Sequence, residues 1–157
     1  MPELFHEAMS SLASGVAVVT ARRPDGHPCG LAVTSVTSYS AHPPSLLVSI
    51  AHSSRCHGAL AGSERFGVHI LRSDELDLAQ VFAGRGEDKF GGVDWEWDGG
   101  VPELRGTLAY LRCRRAAGFE RYDHTVLIGD IEGGRLQEGE PLLYARRRMD
   151  WLLQPGE

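Results

Sequence analysis

Apolar and polar positions along this chain fall into short runs broken by turn residues, a spacing that predicts many strands and few helices. Apolar residues at helical intervals predict a helix over 3–13, and the unbroken run 16–20 predicts a buried strand. Arg22-Arg23-Pro24-Asp25-Gly26 has the chemistry of a hairpin turn. A second strand is expected over about 29–40, ended by His42-Pro43-Pro44 because proline removes backbone donors, and a third over 45–51. Ser53 or Ser54 is the expected cap of a short helix over about 55–61. A strand over 66–71 leads to a second helix opened by Ser73-Asp74-Glu75 and ended by Gly84. The glycine-rich stretch 84–100 reads as loop. Two long strands, about 106–116 and 124–132, precede short ones near 142–145 and 149–153.

This order of elements predicts a mainly β protein, a closed or nearly closed barrel with a few short flanking helices. At 157 residues the chain fits a single domain spanning 1–157, with no internal repeat. No apolar run approaches the ~18 residues needed to cross a bilayer, so no membrane partner is expected. The N-terminus shows no signal-peptide pattern, so the expected location is cytoplasmic. A net charge of −5 argues against nucleic acid as a partner. Cys29, Cys56 and Cys113 are odd in number and widely separated, so they are expected to be idle thiols; no metal site is expected. Lys89 is the only lysine among sixteen cations.

Three segments carry more polar chemistry than a structural strand needs. In the stretch 30–40 the hydroxyls come in adjacent pairs, Thr34-Ser35 and Thr37-Ser38, so they cannot all share one face of a strand of period two. In Ala51-His52-Ser53-Ser54-Arg55, two hydroxyls and a guanidinium at an expected helix start suit a phosphate. In the stretch 120–125, His124 stands between acids and the start of an apolar strand. Taken singly, each also fits an ordinary edge strand, a serine cap or a surface histidine.

Read together and in order, these segments resemble the flavin reductase-like family, whose fold is the FMN-binding split β-barrel (Greek-key). Ser14 to Thr20 is similar to the family's "GV-x-V-V-T" opening, and Gly30 to Pro44 to its "G-x-T-A-x-S-F-T-S-V-S-x-x-P-P" signature. Asp88 to Trp95 resembles its "D-K-F-x-G-V-D-W" block, and Tyr122 to Asp130 its "G-D-H-T-x-x-x-G-E" strand. The sequence departs from the pattern at Ala32, Val33, Val36, Tyr122 and Met149.

The resemblance implies hydride transfer from NADH or NADPH to FMN or FAD, with reduced flavin supplied to a separate monooxygenase. It implies that Thr34, Ser35, Val36 and Thr37 contact the flavin ring and ribityl chain. Ser53, Ser54 and Arg55 would hold the flavin phosphate, with Lys89 and Phe90 nearby, Ala51 would also border the cofactor, and His124 would orient the nicotinamide. It also implies a homodimer. Two other functions fit the same resemblance: a non-catalytic flavin- or haem-binding split barrel, and a flavin-dependent oxidase acting directly on an organic substrate. Flavin-dependent oxidation of a reduced nicotinamide separates the first reading from both.

Overall fold

In the computed structural model, which describes residues Met1–Glu157, helix α1 (Pro2–Ser10) precedes strands β1 (Ser14–Gly15), β2 (Ala17–Arg22), β3 (Pro28–Val33), β4 (Thr37–Ala41) and β5 (Pro44–Ala51). Helix α2 (His57–Gly62), β6 (Arg65–Ile70) and helix α3 (Leu76–Ala83) follow. The second half holds β7 (Trp95–Asp98), β8 (Val101–Leu104), β9 (Ala109–Arg121), β10 (His124–Leu136), β11 (Leu143–Ala145) and β12 (Arg148–Trp151).

Seven strands form one antiparallel sheet in the order β3-β2-β6-β9-β10-β5-β4. Its two edges, β3 and β4, are consecutive in the chain and joined only by Thr34, Ser35 and Val36. Laid flat, six strand spacings would hold those edges ~29 Å apart. A link of this length reaches only ~14 Å. The sheet therefore curls until its edges face one another, which makes a barrel split along the β3/β4 seam. Ser35 ties the link across the seam: its hydroxyl donates to the Ser49 carbonyl at 2.8 Å and lies 3.3 Å from the Ser49 N–H.

Curling gives β2 two covered faces. Ala17, Val19 and Ala21 point into the barrel with Leu46, Val48, Ile50, Phe66, Val68 and Leu127. Val16 and Val18 pack outward against Leu71, Phe82, Phe90, Leu104 and Leu142. That is why the run 16–20 shows no alternation. The β7–β8 ribbon is held to this outer face by buried polar groups. Thr20 Oγ1 donates to the Pro102 carbonyl at 2.7 Å, and His69 bridges the Val18 carbonyl through Nδ1 and the Leu104 N–H through Nε2. Burial without a counter-charge pushes the His69 pKa down to about 4, so the ring is neutral and can be donor and acceptor at once.

Several expectations change. The strand expected over 29–40 is two strands, because its middle turns the corner between sheet edges. The stretch 84–100 is not wholly loop: Trp95–Asp98 pairs with β8, whose Val101-Pro102-Glu103-Leu104 lacks strand-forming composition but is buried throughout. The long hairpin is longer than its apolar pattern, since β9 runs on to Arg121 through residues 114–121 that are all exposed. Neither Ser53 nor Ser54 caps α2; Cys56 stands at that position, and Ser54 Oγ instead accepts from the Cys56 N–H at 3.2 Å. The three cysteines are not all idle. Cys29 on β3 and Cys56 are joined by a disulfide, with Cα atoms 5.8 Å apart, because the chain after β5 returns beside the β3 edge. Cys113 alone is free, and buried.

Candidate functional site

The β3 edge, the turn after β5 and the segment following α3 enclose a cleft of about 630 Å³. Gly30, Leu31 and Ala32 form one wall, Ala51 and Ser53–Cys56 the floor, and Phe82–Glu87 with Lys89 and Phe90 the other wall. The first wall fits closely under α3: a Cβ on Gly30 would come within 2.8 Å of the Phe82 ring. Lys89 joins the two walls, its Nζ donating to the carbonyls of Gly30 at 3.2 Å and Phe82 at 3.0 Å.

The cleft is strongly cationic. Arg23, Arg55, Arg85 and Lys89 all line it, and none has a carboxylate partner, whereas eight arginines elsewhere are ion-paired. Partial burial, and then the charges of Arg23 and Arg55, hold the Lys89 ammonium below its ordinary pKa. Unpaired cations gathered in a concave site are stabilised by an anion, and the turn adds uncharged donors. The backbone N–H groups of Ser53 and Arg55 meet no protein acceptor, and the Ser53 hydroxyl is exposed at the mouth. A phosphate placed here meets amides, a hydroxyl and guanidinium forks together. These residues fit the phosphate end of a flavin nucleotide.

Six of the residues singled out from sequence thus meet in one cleft: Ala51, Ser53, Ser54, Arg55, Lys89 and Phe90. Thr34, Ser35 and Val36 lie outside its lining, on the link that leaves Ala32 and Val33 for the seam, and Thr37 opens β4. The backbone N–H groups of Thr34, Ser35 and Val36 also have no protein acceptor. The Val36 side chain packs against the barrel core, and Thr37 is exposed opposite Leu47. His124 is not part of the lining. It begins β10 directly opposite Ala51, exposed, with Nδ1 2.8 Å from Asp123 Oδ1, and this contact holds the Asp123 carboxyl below the usual carboxylate range.

Sequence reasoning missed Arg23 and Arg85. Arg23 was read only as turn chemistry, yet its Nη1 donates to the Arg55 carbonyl at 2.9 Å. Nothing in its local pattern marks that reach across 32 positions.

A curled sheet split at its edge strands, with a cationic cleft beside the seam, defines a protein of the split-barrel class. Residues 9–153 match the model of the flavin reductase like domain, and the chain belongs to that family. It is 39% identical over 142 residues to an FMN reductase (NADH) of Agrobacterium fabrum, covering 90% of this chain and 80% of that protein. Among solved structures, the NADH:FAD oxidoreductase of Streptomyces globisporus, in complex with NAD and FAD fragments, superposes with a TM-score of 0.91 at 26% identity, covering 99% of this chain and 95% of that one. The styrene monooxygenase flavin reductase of Pseudomonas putida superposes with a TM-score of 0.84 at 31% identity, covering 92% and 93%. No helix of this chain is long and apolar enough to cross a membrane.

Proposed function

We propose that this protein is an NAD(P)H:flavin oxidoreductase, accepting FMN or FAD in the cationic cleft and passing reduced flavin to a separate monooxygenase. The observation that carries the reading is the set of four unpaired cations around the turn Ser53–Arg55, in a chain of the flavin reductase-like family. Bound flavin supplies the ring that accepts hydride; the protein supplies binding, orientation and electrostatics. Arg55, with Arg23 behind it, anchors the phosphate. The unpaired amides of Thr34, Ser35 and Val36 offer donors where the ring gains negative charge. His124, at the start of β10 opposite Ala51 of the cleft floor, would orient the nicotinamide. No side-chain nucleophile is needed, and none is assigned.

We further propose that residues 1–157 act as one domain in a cytoplasmic homodimer. Outer β9 is exposed on both faces and carries Phe119, while α1 buries none of Leu4, Phe5 and Met9. Those surfaces suit a second copy better than water. The segments 106–111 and 126–131 suit that contact less well, since β9 and β10 are flanked there by β6 and β5.

The deciding experiment mixes the purified protein with FMN or FAD and NADH or NADPH and follows loss of the reduced nicotinamide absorbance. Flavin-dependent oxidation is expected in at least one pair. Flavin binding without turnover in all four would favour a carrier and reject the reductase.

A further inference from the structure

Beside the turn that floors the cationic cleft, and outside its lining, the structure gathers two imidazoles and a carboxylate around one hydroxyl. His52 and His57 stand on either side of the turn Ser53–Arg55, and both Nε2 atoms reach Thr125 Oγ1, at 3.0 and 2.8 Å. Their rings meet edge to face with centroids 4.8 Å apart. Glu120 on β9 lies directly across the ladder from Thr125. One donor atom from each of His52, His57 and Glu120 falls within 4.8 Å of the other two.

We propose that His52, His57 and Glu120 form a binding site for one divalent metal ion of the zinc class per chain, with water completing the coordination. Two imidazoles and a carboxylate, with a fourth position left open, are a donor set that zinc uses. Calcium and magnesium favour oxygen ligands throughout, so this set discriminates against them. Bonds of ~2.0–2.2 Å around a tetrahedral ion put its donors ~3.3 Å apart. His52 and Glu120 are exposed and free to close that gap by rotation, while half-buried His57 supplies a fixed point at the start of α2.

The hydrogen bonding agrees. A single hydroxyl has one proton, so Thr125 donates to one Nε2 and accepts from the other. The two rings are therefore held in different tautomers although they point at one spot. An ion at that spot takes the Nε2 lone pair of both rings once the Nε2-protonated ring shifts its proton to Nδ1, and buried Thr125 forms the floor behind it. The three ligands come from the turn, α2 and the β9–β10 hairpin, which is why no sequence motif announces them. This site does not depend on the flavin reading.

Isothermal titration of the full chain with zinc chloride tests the proposal, with the visible spectrum of cobalt(II)-loaded protein reporting four-coordination. One ion per chain is expected, with magnesium failing to compete. Loss of an outer-shell partner costs roughly 10–100-fold in metal affinity, so His52→Ala, His57→Ala and Glu120→Gln should each cost at least that much. Circular dichroism establishes that each variant folds, and exposed Glu120 gives the variant least able to disturb the fold. A Cys29→Ser/Cys56→Ser protein should still bind zinc. No uptake by the unaltered chain overturns the proposal. So does unchanged uptake in the His52→Ala/His57→Ala double variant, or uptake lost with the cysteines.

Discussion

The guanidinium of Arg23 donates a hydrogen bond to the main-chain carbonyl of Arg55, so one cation shapes the turn that presents the other. Arg23 is itself fixed in the β2–β3 hairpin, where its N–H donates to the His27 carbonyl at 2.8 Å. One of its five donors is used on the turn and the rest remain for a ligand. A hydrogen bond to a charged group contributes about 1.5–3 kcal/mol, or roughly 10–150-fold in affinity. Arg55→Ala should therefore weaken FMN by that factor and leave riboflavin, which has no phosphate, nearly unchanged. Arg23→Ala should weaken FMN too, and Arg23→Lys should recover only part of the loss because the fork is gone. Flavin fluorescence titrations measure all of these. Equal weakening of FMN and riboflavin would remove the phosphate from this turn.

His124 tests the nicotinamide side. It faces Ala51 across the ladder but lies outside the cleft lining. His124→Ala should raise KM for the reduced nicotinamide while the FMN dissociation constant stays within about twofold, a change of less than 0.5 kcal/mol. Steady-state kinetics beside a flavin titration decide it. A matching loss in both constants would make His124 part of the flavin site.

Much of the barrel was legible because its strands are short, apolar and bounded by Gly, Pro and Asp-Gly. The strand over 45–51 could be placed from local chemistry alone, whereas 53–55, with the composition of a helix start, is a turn that precedes α2. What was not legible depends on curvature. The corner at Thr34–Val36 has strand-like composition and becomes a link only because sheet edges must meet. Buried β8 owes its state to Thr20 and His69 on other strands. Cys29 and Cys56 are far apart in the chain, and their pairing follows from the turn returning to the β3 edge. Arg23, His57 and Glu120 are silent for the same reason: their partners are distant in sequence.

His69 makes stability depend on pH. Its folded pKa, about 4, lies below the ordinary value near 6.5, so on acidification the unfolded chain takes up the proton first. Stability is then intact above pH ~6.5 and is lost as pH falls toward 4, by a total on the order of 3 kcal/mol. Paired carboxylates begin to protonate lower in that range, so the diagnostic window is about pH 6.5 to 5. Urea midpoints across it should fall in the unaltered protein. His69→Gln, which cannot titrate, should start less stable and show a flatter slope there.

Tyr122 occupies the position where the family pattern has glycine, and it adopts φ +56°. For a residue with a Cβ this left-handed conformation costs about 1–2 kcal/mol. The turn is only two residues long, Tyr122-Asp123, so the strain cannot spread. The ring recovers little, being exposed and meeting only the Arg121 guanidinium 4.8 Å from its centroid. Tyr122→Gly should raise Tm by roughly 2–4 °C, as about 1 kcal/mol does at this size. Tyr122→Ala keeps the Cβ and should give no such gain. Thermal melts of the pair separate backbone strain from loss of the ring.

The Cys29–Cys56 disulfide closes a loop spanning 27 positions, and both cysteines line the cleft. A cross-link of that span removes unfolded-state entropy worth about 3.5 kcal/mol at 25 °C. Reduction should therefore lower Tm by roughly 10 °C. Cys56→Ser should reproduce the drop and make the protein insensitive to reductant. In a cytoplasm that keeps thiols reduced, the working form would be the dithiol. The unreduced protein should then yield one free thiol per chain on titration under denaturing conditions, and the reduced protein three. Three thiols without reductant, together with a Tm indifferent to it, would return both residues to the idle state expected from their spacing. Because Cys56 directly follows Arg55, the same melts repeated with FMN should show a larger ligand-induced rise for the disulfide form, whose turn is already tied to β3.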